Sequence, residues 1–357
     1  MTAVISSSLP KTATELYRLP PLPTIRDLLR LYRLRAIKQL SQNFLMDQRL
    51  TDKIVRAAGR IKNGHVCEIG PGPGGITRSI INRGPERVVV IEKDRRFGPS
   101  LELLAEATGG RVEIIYGDIL SVRMDKLFPE ATKVMWEDSP PNIHLIGNLP
   151  FNVSTPLIIK WLHDISVRGN AWSYGRTRML LTFQKEVAER ITAPIMSSQR
   201  CRLSIMCQNW CEVHHKFNIP GKAFIPKPDV DVGIVHFTPL VRPVIPLPFS
   251  LVEKVVRTIF SYRQKYSIRG AECLFPGPAR ERLGKEMYML ADVDPTTRPF
   301  QLTVEEFGRL CTAYKCICDK DPRLYKYESR AQKDKLAEFE ELYKSEEIDL
   351  EFSAESQ

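Results

Sequence analysis

Metal-type cysteine spacing is missing from this chain. Its eight cysteines are scattered and no C-x-x-C pair occurs, which removes zinc-ribbon and thioredoxin-type chemistry and predicts reduced, mostly buried thiols. The six histidines show no ligand spacing either, and the adjacent His214 and His215 would point to opposite faces of a strand. No apolar run approaches the roughly 20 residues that a bilayer-spanning helix needs, so no membrane is expected among the partners. Acidic residues are scarce at the start, the first being Glu15.

What is present is ordinary in amount and unusual in arrangement. A chain of 357 residues can bury one large α/β core plus a smaller appendage. Its net charge of +10 favours a polyanionic partner without naming it. Residues 326–357 are acidic on balance and poor in large apolar side chains, which predicts a charged, flexible tail.

The acid-poor beginning has helical character from Ile25, with Arg26, Arg30 and Arg33 on one face and Leu28, Leu29 and Tyr32 largely elsewhere. Such an arginine-rich amphipathic stretch is similar to a mitochondrial transit peptide. Residues 1–34 are therefore expected to act in targeting, with cleavage near residues 27–34. The alternative is an ordered first helix that touches RNA phosphates.

Three strand ends follow in order. Residues 65–69 read as a short buried strand, and Gly70-Pro71-Gly72-Pro73-Gly74-Gly75 follows at once, with a helix expected from Ile76. Missing side chains in such a turn let the backbone approach a nucleotide at the helix N-terminus. Gly70, Gly72 and Gly75 also satisfy the dinucleotide G-x-G-x-x-G pattern, so glycine spacing leaves the cofactor open. A second apolar strand, residues 88–91, ends in Glu92, whose carboxylate can accept both ribose hydroxyls. A third, residues 112–116, ends in Gly117-Asp118, which suits an adenine amino group.

A fourth apolar run, residues 143–147, ends in Asn148-Leu149-Pro150-Phe151. Aniline-like nitrogens delocalise their lone pair into the ring and attack a methyl donor poorly. Acceptors on both N–H groups, here the Asn148 side-chain oxygen and the Leu149 carbonyl, draw such a nitrogen toward tetrahedral geometry. Phe151 would stack on the base. A dinucleotide enzyme needs a home for a second nucleotide and nothing downstream supplies one, so the cofactor predicted is S-adenosyl-L-methionine.

With these pieces in place, the sequence resembles the rRNA adenine N6,N6-dimethyltransferase family from about residue 35 to about residue 325. The matching stretches include Gln42-Asn43-Phe44-Leu45, Glu68-Ile69-Gly70-Pro71-Gly72, Ile91-Glu92-Lys93-Asp94, Gly117-Asp118-Ile119-Leu120, Asn148-Leu149-Pro150-Phe151 and Phe224-Ile225-Pro226-Lys227-Pro228. Residues 19–26, and Trp161 within residues 157–162, resemble its mitochondrial branch. The resemblance implies dimethylation of two adjacent adenines in a hairpin loop near the 3′ end of mitochondrial small-subunit (12S) rRNA, in the mitochondrial matrix, supporting subunit assembly and translation. It implies that Asn43, Leu45, Gly70, Glu92, Lys93, Asp118, Ile119 and Asn148 line the methyl-donor site. Many family members carry Tyr where this chain has Phe151. Stacking survives that change, but a contact through a phenolic hydroxyl does not.

The fold class expected is α/β: a Rossmann-like methyltransferase sheet over residues 35–243, mainly parallel, with the ligand crevice at the strand carboxyl ends. Thr155-Pro156 reads as a helix start. Proline-rich residues 239–248 mark a boundary, and residues 244–325 read as a small all-helical domain, with capping boxes at Ser250/Glu253 and Thr303/Glu306. Lys38, Arg263, Lys265 and Arg269 are candidate RNA-phosphate contacts, against a solvated basic face. Phe224, beside prolines, either faces the second side of the base or is core. Rival readings are a DNA adenine or protein amide methyltransferase, and a transcription accessory factor that kept the fold. The mitochondrial branch's transcriptional association implies mitochondrial DNA and transcription machinery as further partners. A monomer is expected.

Overall fold

The computed structural model describes residues 19–34, 42–332, 334, 336, 337 and 339–344. The proposed phosphate contact Lys38, residues 1–18 and the last residues of the tail lie outside them. The chain divides into two compact units. The first takes the described residues through Ala188 together with His214–Pro239; the second takes Glu189–Val213 and the described residues from Leu240 on.

In the first unit α1 (Ile25–Leu31) precedes β1 (Phe44–Leu45) and α2 (Gln48–Ala57). The alternating core follows: β2 (His65–Ile69), α3 (Gly75–Ile81), β3 (Arg87–Glu92), α4 (Gly98–Ala107), β4 (Val112–Tyr116), β5 (Ile143–Gly147), α5 (Phe151–Ser166), β6 (Arg178–Gln184) and α6 (Lys185–Ile191). Beyond α7 (Arg202–Trp210) come β7 (Cys211–Ile219), β8 (Phe224–Ile225) and β9 (Val232–Pro239). The main sheet has the order β4-β3-β2-β5-β6-β9-β7. Its first five strands run parallel, and β9 joins β6 antiparallel. Chain direction across the sheet reverses between β2 and β5, the place where open α/β sheets bind ligands.

Every residue of β2 and of β5 is buried, as strands covered on both faces require. Val66, Val90, Leu145 and Leu180 are at most 2% exposed, and a fully buried aliphatic side chain of this kind contributes roughly 1.5–3 kcal/mol. Two polar side chains are carried into this core with them, Glu68 and His144, each 1% exposed.

Three local expectations are corrected by the structure. Helix α5 starts at Phe151, not after Thr155, because Pro150 is its N-cap and the amides of Val153 and Ser154 both donate to the Pro150 carbonyl; Pro156 lies inside the helix. In the second unit α8 (Phe249–Ile259) begins after Pro248, so Ser250 sits in its first turn and forms no capping box. The predicted boundary at residue 243 also misses a segment, since Glu189–Val213 groups with the C-terminal helices. The buried Arg200 guanidinium explains this: it donates to the carbonyls of Ala193 and Leu302 and to Gln208, while Asn209 accepts from the Ile245 amide.

The second unit continues with α9 (Ser267–Ala271), α10 (Arg280–Ala291) and α11 (Val304–Lys320), the last opened by the Thr303/Glu306 capping box. Part of the tail packs here: Tyr343 is 4% exposed and its hydroxyl donates to Asp321. All eight cysteines are free, five of them buried. No helix among the described residues is long and apolar enough to cross a membrane.

Candidate active site

Strand register builds the site. Ile69 lies opposite both Ile91 and Gly147, and Glu92 lies opposite Tyr116. The residues that follow, Gly70, Glu92, Gly117 and Asn148, therefore leave the sheet side by side at one edge. The glycine turn is fixed by a bond from the Gly70 amide to the Ile91 carbonyl, 2.9 Å. Gly70 and Gly72 have φ of 67° and 54°, the left-handed region where side chains are strained. At Gly75, where α3 begins, a Cβ would stand 3.2 Å from the Leu45 carbonyl.

Glu92 ties this turn to the next strand. One carboxylate oxygen accepts the Gly72 amide at 3.0 Å and the other the Asp94 amide at 2.8 Å. Burial pushes its carboxyl upward, against the pull of those amides. An ionised carboxylate offers about four acceptor positions, so the backbone amides do not exhaust it and capacity remains for a ligand's hydroxyls. Asp94, 8% exposed, accepts Gln42 Nε2 at 2.9 Å and is gripped by Arg96. These donors outweigh burial and hold its carboxyl below the ordinary range. Through Gln42, the stretch that includes Asn43 and β1 is anchored over the cavity. Asp118 pairs with Lys93 at 2.8 Å and accepts the Leu120 amide, which hold its carboxyl low. The Lys93 side chain is 64% exposed, so this pair contributes little stability.

Asn148 is held by both ends of its amide. Its Nδ2 donates to the Asn43 carbonyl at 3.2 Å, and its Oδ1 accepts the Thr182 hydroxyl at 3.1 Å. A carbonyl partner on one side and a hydroxyl on the other set the orientation of the amide. The Thr182 oxygen in turn accepts the Leu149 amide at 3.1 Å.

The cavity at this edge encloses about 250 Å³ and is lined by Asn43, Leu45, Gly70, Glu92, Lys93, Asp118, Ile119, Asn148, Leu149, Phe151 and Phe224. All the cofactor and catalytic candidates read from the sequence thus meet in one place. Phe151 stands half-buried as the first residue of α5. Phe224 pairs with Leu45 across β8 and β1 and is 2% exposed; it is wall and core at once.

Sequence reasoning singles out no role for four residues here. Thr182 lies in the middle of an apolar strand, and Asp94 and Gln42 sit inside matched motifs without an assigned partner. Glu68 is the fourth. It lines the same cavity, its Oε2 has no hydrogen-bond partner among the described residues, and burial pushes its carboxyl up to about 8, against the nearby Thr77 hydroxyl. A buried carboxyl with an oxygen left without a hydrogen-bond partner, inside a glycine-rich cavity, is suited to a ligand rich in hydroxyls and amines. These features, with Glu92 and Asp118 at neighbouring strand ends, fit S-adenosylmethionine.

Candidate phosphate contacts in the second unit have diverse surroundings. Arg263 is committed to the loop before α7, donating to the carbonyls of Arg200 and Ser198 and lying over the Phe300 ring at 5.4 Å. Arg269 is exposed and pairs with Glu272 at 3.3 Å, and Lys265 is exposed.

The profile of the ribosomal RNA adenine dimethylase family matches residues 33–298. Dimethyladenosine transferase 1, mitochondrial, of Xenopus tropicalis is 58% identical over 316 residues, 88% of this chain and 91% of that protein. The Homo sapiens protein of the same name is 57% identical over 315 residues, 88% of this chain and 91% of its own. In fold, the chain is similar to the crystal structure of a dimethyladenosine transferase from Plasmodium falciparum, with a TM-score of 0.57 and 23% identity over 76% of this chain and 98% of that one. The chain belongs to the ribosomal RNA adenine dimethylase family. It is a mitochondrial rRNA adenine dimethyltransferase that uses S-adenosylmethionine.

Proposed function

We propose that this enzyme dimethylates N6 of two adjacent adenines in the 3′-terminal hairpin loop of mitochondrial small-subunit (12S) rRNA, acting as a monomer and supporting small-subunit assembly. The observation that carries the reading is the Asn148 amide, fixed at both ends on the rim of the cavity that holds Glu92 and Asp118.

The adenine leaves its stack to reach the cavity, as loop bases do in RNA recognition. Phe151 stacks on one side of it, contributing on the order of 1–3 kcal/mol, and Phe224 closes the other. Asn148 Oδ1 and the Leu149 carbonyl accept hydrogen bonds from the two N6–H groups and localise the nitrogen lone pair. When bound, S-adenosylmethionine supplies an electrophilic methyl on its sulfonium. Glu92 would hold its ribose hydroxyls, Asp118 its adenine amino group, and the glycine turn would give its tail close backbone approach. Asn43, Leu45, Lys93 and Ile119 complete that pocket. Positioning carries much of the rate. No general base is assigned, because the proton turns acidic once the nitrogen is alkylated. Phosphate contact rests on Lys38, Lys265 and Arg269, while Arg263 braces its loop.

The test is a hairpin RNA with two loop adenines, incubated with enzyme and labelled donor, digested and read by mass spectrometry. Dimethyladenosine at both neighbouring positions is expected. Methyl groups elsewhere, or on DNA in preference, would replace this reading with one of its rivals.

A further inference from the structure

The start of the chain combines two characters. Arg26 and Arg30 on α1 face solvent, whereas Leu28 is fully buried and Ile25 is 7% exposed. Leu19, Leu22, Leu29 and Leu34 pack, partly buried, against the core of the methyltransferase unit. Helix α1 is closed by a capping box in which the Asp27 amide donates to the Thr24 hydroxyl and the Asp27 carboxylate accepts the Thr24 amide. A third tie comes from the cofactor turn's own helix. Arg78 on α3 is 9% exposed, its Nη1 donates to the Pro23 carbonyl at 2.7 Å, and its Nε and Nη2 have no partner among the described residues.

We propose that residues 19–34 remain on the mature protein as a structural part of the methyltransferase unit, and that proteolytic removal of the targeting segment ends before Leu19. Cleavage near residues 27–34, as the sequence pattern suggests, would strip two buried side chains from the core. It would also remove the Pro23 carbonyl, the acceptor that the Arg78 guanidinium uses beside the glycine turn. The helix keeps Arg26 and Arg30 in solvent and buries Ile25 and Leu28. In sequence the segment precedes Gln42–Leu45, which line the cofactor cavity.

The full chain is to be imported into mitochondria, purified and its N-terminus read by intact mass and terminal sequencing. A terminus at or before Leu19 is expected; one within residues 20–34 overturns the proposal. In parallel, a chain lacking residues 1–34 is compared with the full chain by thermal melting and by calorimetry with S-adenosylmethionine. A lower Tm and at least about tenfold weaker binding are expected. Full-length Leu28→Asp supplies the same test without truncation. Arg78→Met should lower the Tm of the full chain and change the truncated one little. Unchanged melting of Leu28→Asp or of the truncated chain overturns the proposal.

Discussion

The Thr182 hydroxyl donates to Asn148 Oδ1 and accepts the Leu149 amide, both at 3.1 Å. One side chain from the middle of β6 thus fixes two consecutive residues of the loop that presents acceptors to the adenine. Thr182→Val, which keeps the shape and removes the hydroxyl, is expected to lower kcat roughly 10- to 100-fold with KM for RNA and affinity for the donor nearly unchanged. Asn148→Ala should bind donor and lose transfer. Steady-state kinetics with calorimetry checks both. A Thr182→Val enzyme with wild-type kcat would remove the positioning role.

Glu92 braces the glycine turn as well as facing the cavity. Glu92→Ala leaves the Gly72 and Asp94 amides without their acceptor, a loss of roughly 1–3 kcal/mol for each buried group. It should lower the Tm and weaken S-adenosylmethionine binding about 100-fold or more. Glu92→Gln, which still offers one acceptor oxygen, should recover part of the Tm and little of the affinity. Equal donor affinity in Glu92→Ala and wild type would assign Glu92 to the turn alone.

Two buried ionisable groups, Glu68 on β2 and His144 on β5, give opposite pH dependence. Burial raises Glu68 to about 8 in the folded state from an unfolded value near 4.5, so folding favours the protonated form. Stability from this group is complete below about 4.5 and is lost as pH rises toward about 8. His144 is pushed down to about 4, so its contribution is complete above about 6.5 and is lost as pH falls toward about 4. Glu68→Gln removes the first window. Its stability relative to wild type should therefore grow as pH is raised from about 5 to 8, by a few kcal/mol at most. Denaturant titrations across that range measure it, and a difference that is flat with pH contradicts the assignment.

Phe151 replaces the tyrosine that the family motif often carries. Phe151→Ala should raise KM for RNA on the order of 10-fold or more, the size expected for one stacked base, with donor affinity kept. Phe151→Tyr should stay within about threefold of wild type. A large loss in Phe151→Tyr would mean that the ring edge is packed too closely for a hydroxyl.

The sheet and the cavity are legible in the sequence because their signals are local. A buried strand followed by a glycine turn, and apolar runs ending in Glu92, Asp118 and Asn148, each announce a strand end, and parallel pairing sets such ends in one row. What stays hidden depends on register or on distant partners. Thr182 reads as one more residue of a buried strand until β6 is placed beside β5. Glu68 looks like a strand residue, and only its burial at the cavity with one oxygen left without a hydrogen bond gives it interest. The start of helix α5 is misplaced because Pro156 resembles a first-turn proline, whereas Pro150, six residues earlier, already supplies the cap. Arg263 looks like a phosphate contact because charge is visible in sequence and the two carbonyls it serves are not. Glu189–Val213 falls to the wrong unit for the same reason, since Arg200 finds its acceptors far along the chain.

The contact between Asn148 Nδ2 and the Asn43 carbonyl has a mechanical meaning. Asn43 belongs to the stretch that Gln42 fastens to Asp94, so the rim over the donor and the residue that greets the acceptor hang on a common hook. A change that shifts Gln42 or Asn43 would therefore bear on the adenine's acceptor as well as on the donor pocket, in an enzyme that must take each adenine through two rounds.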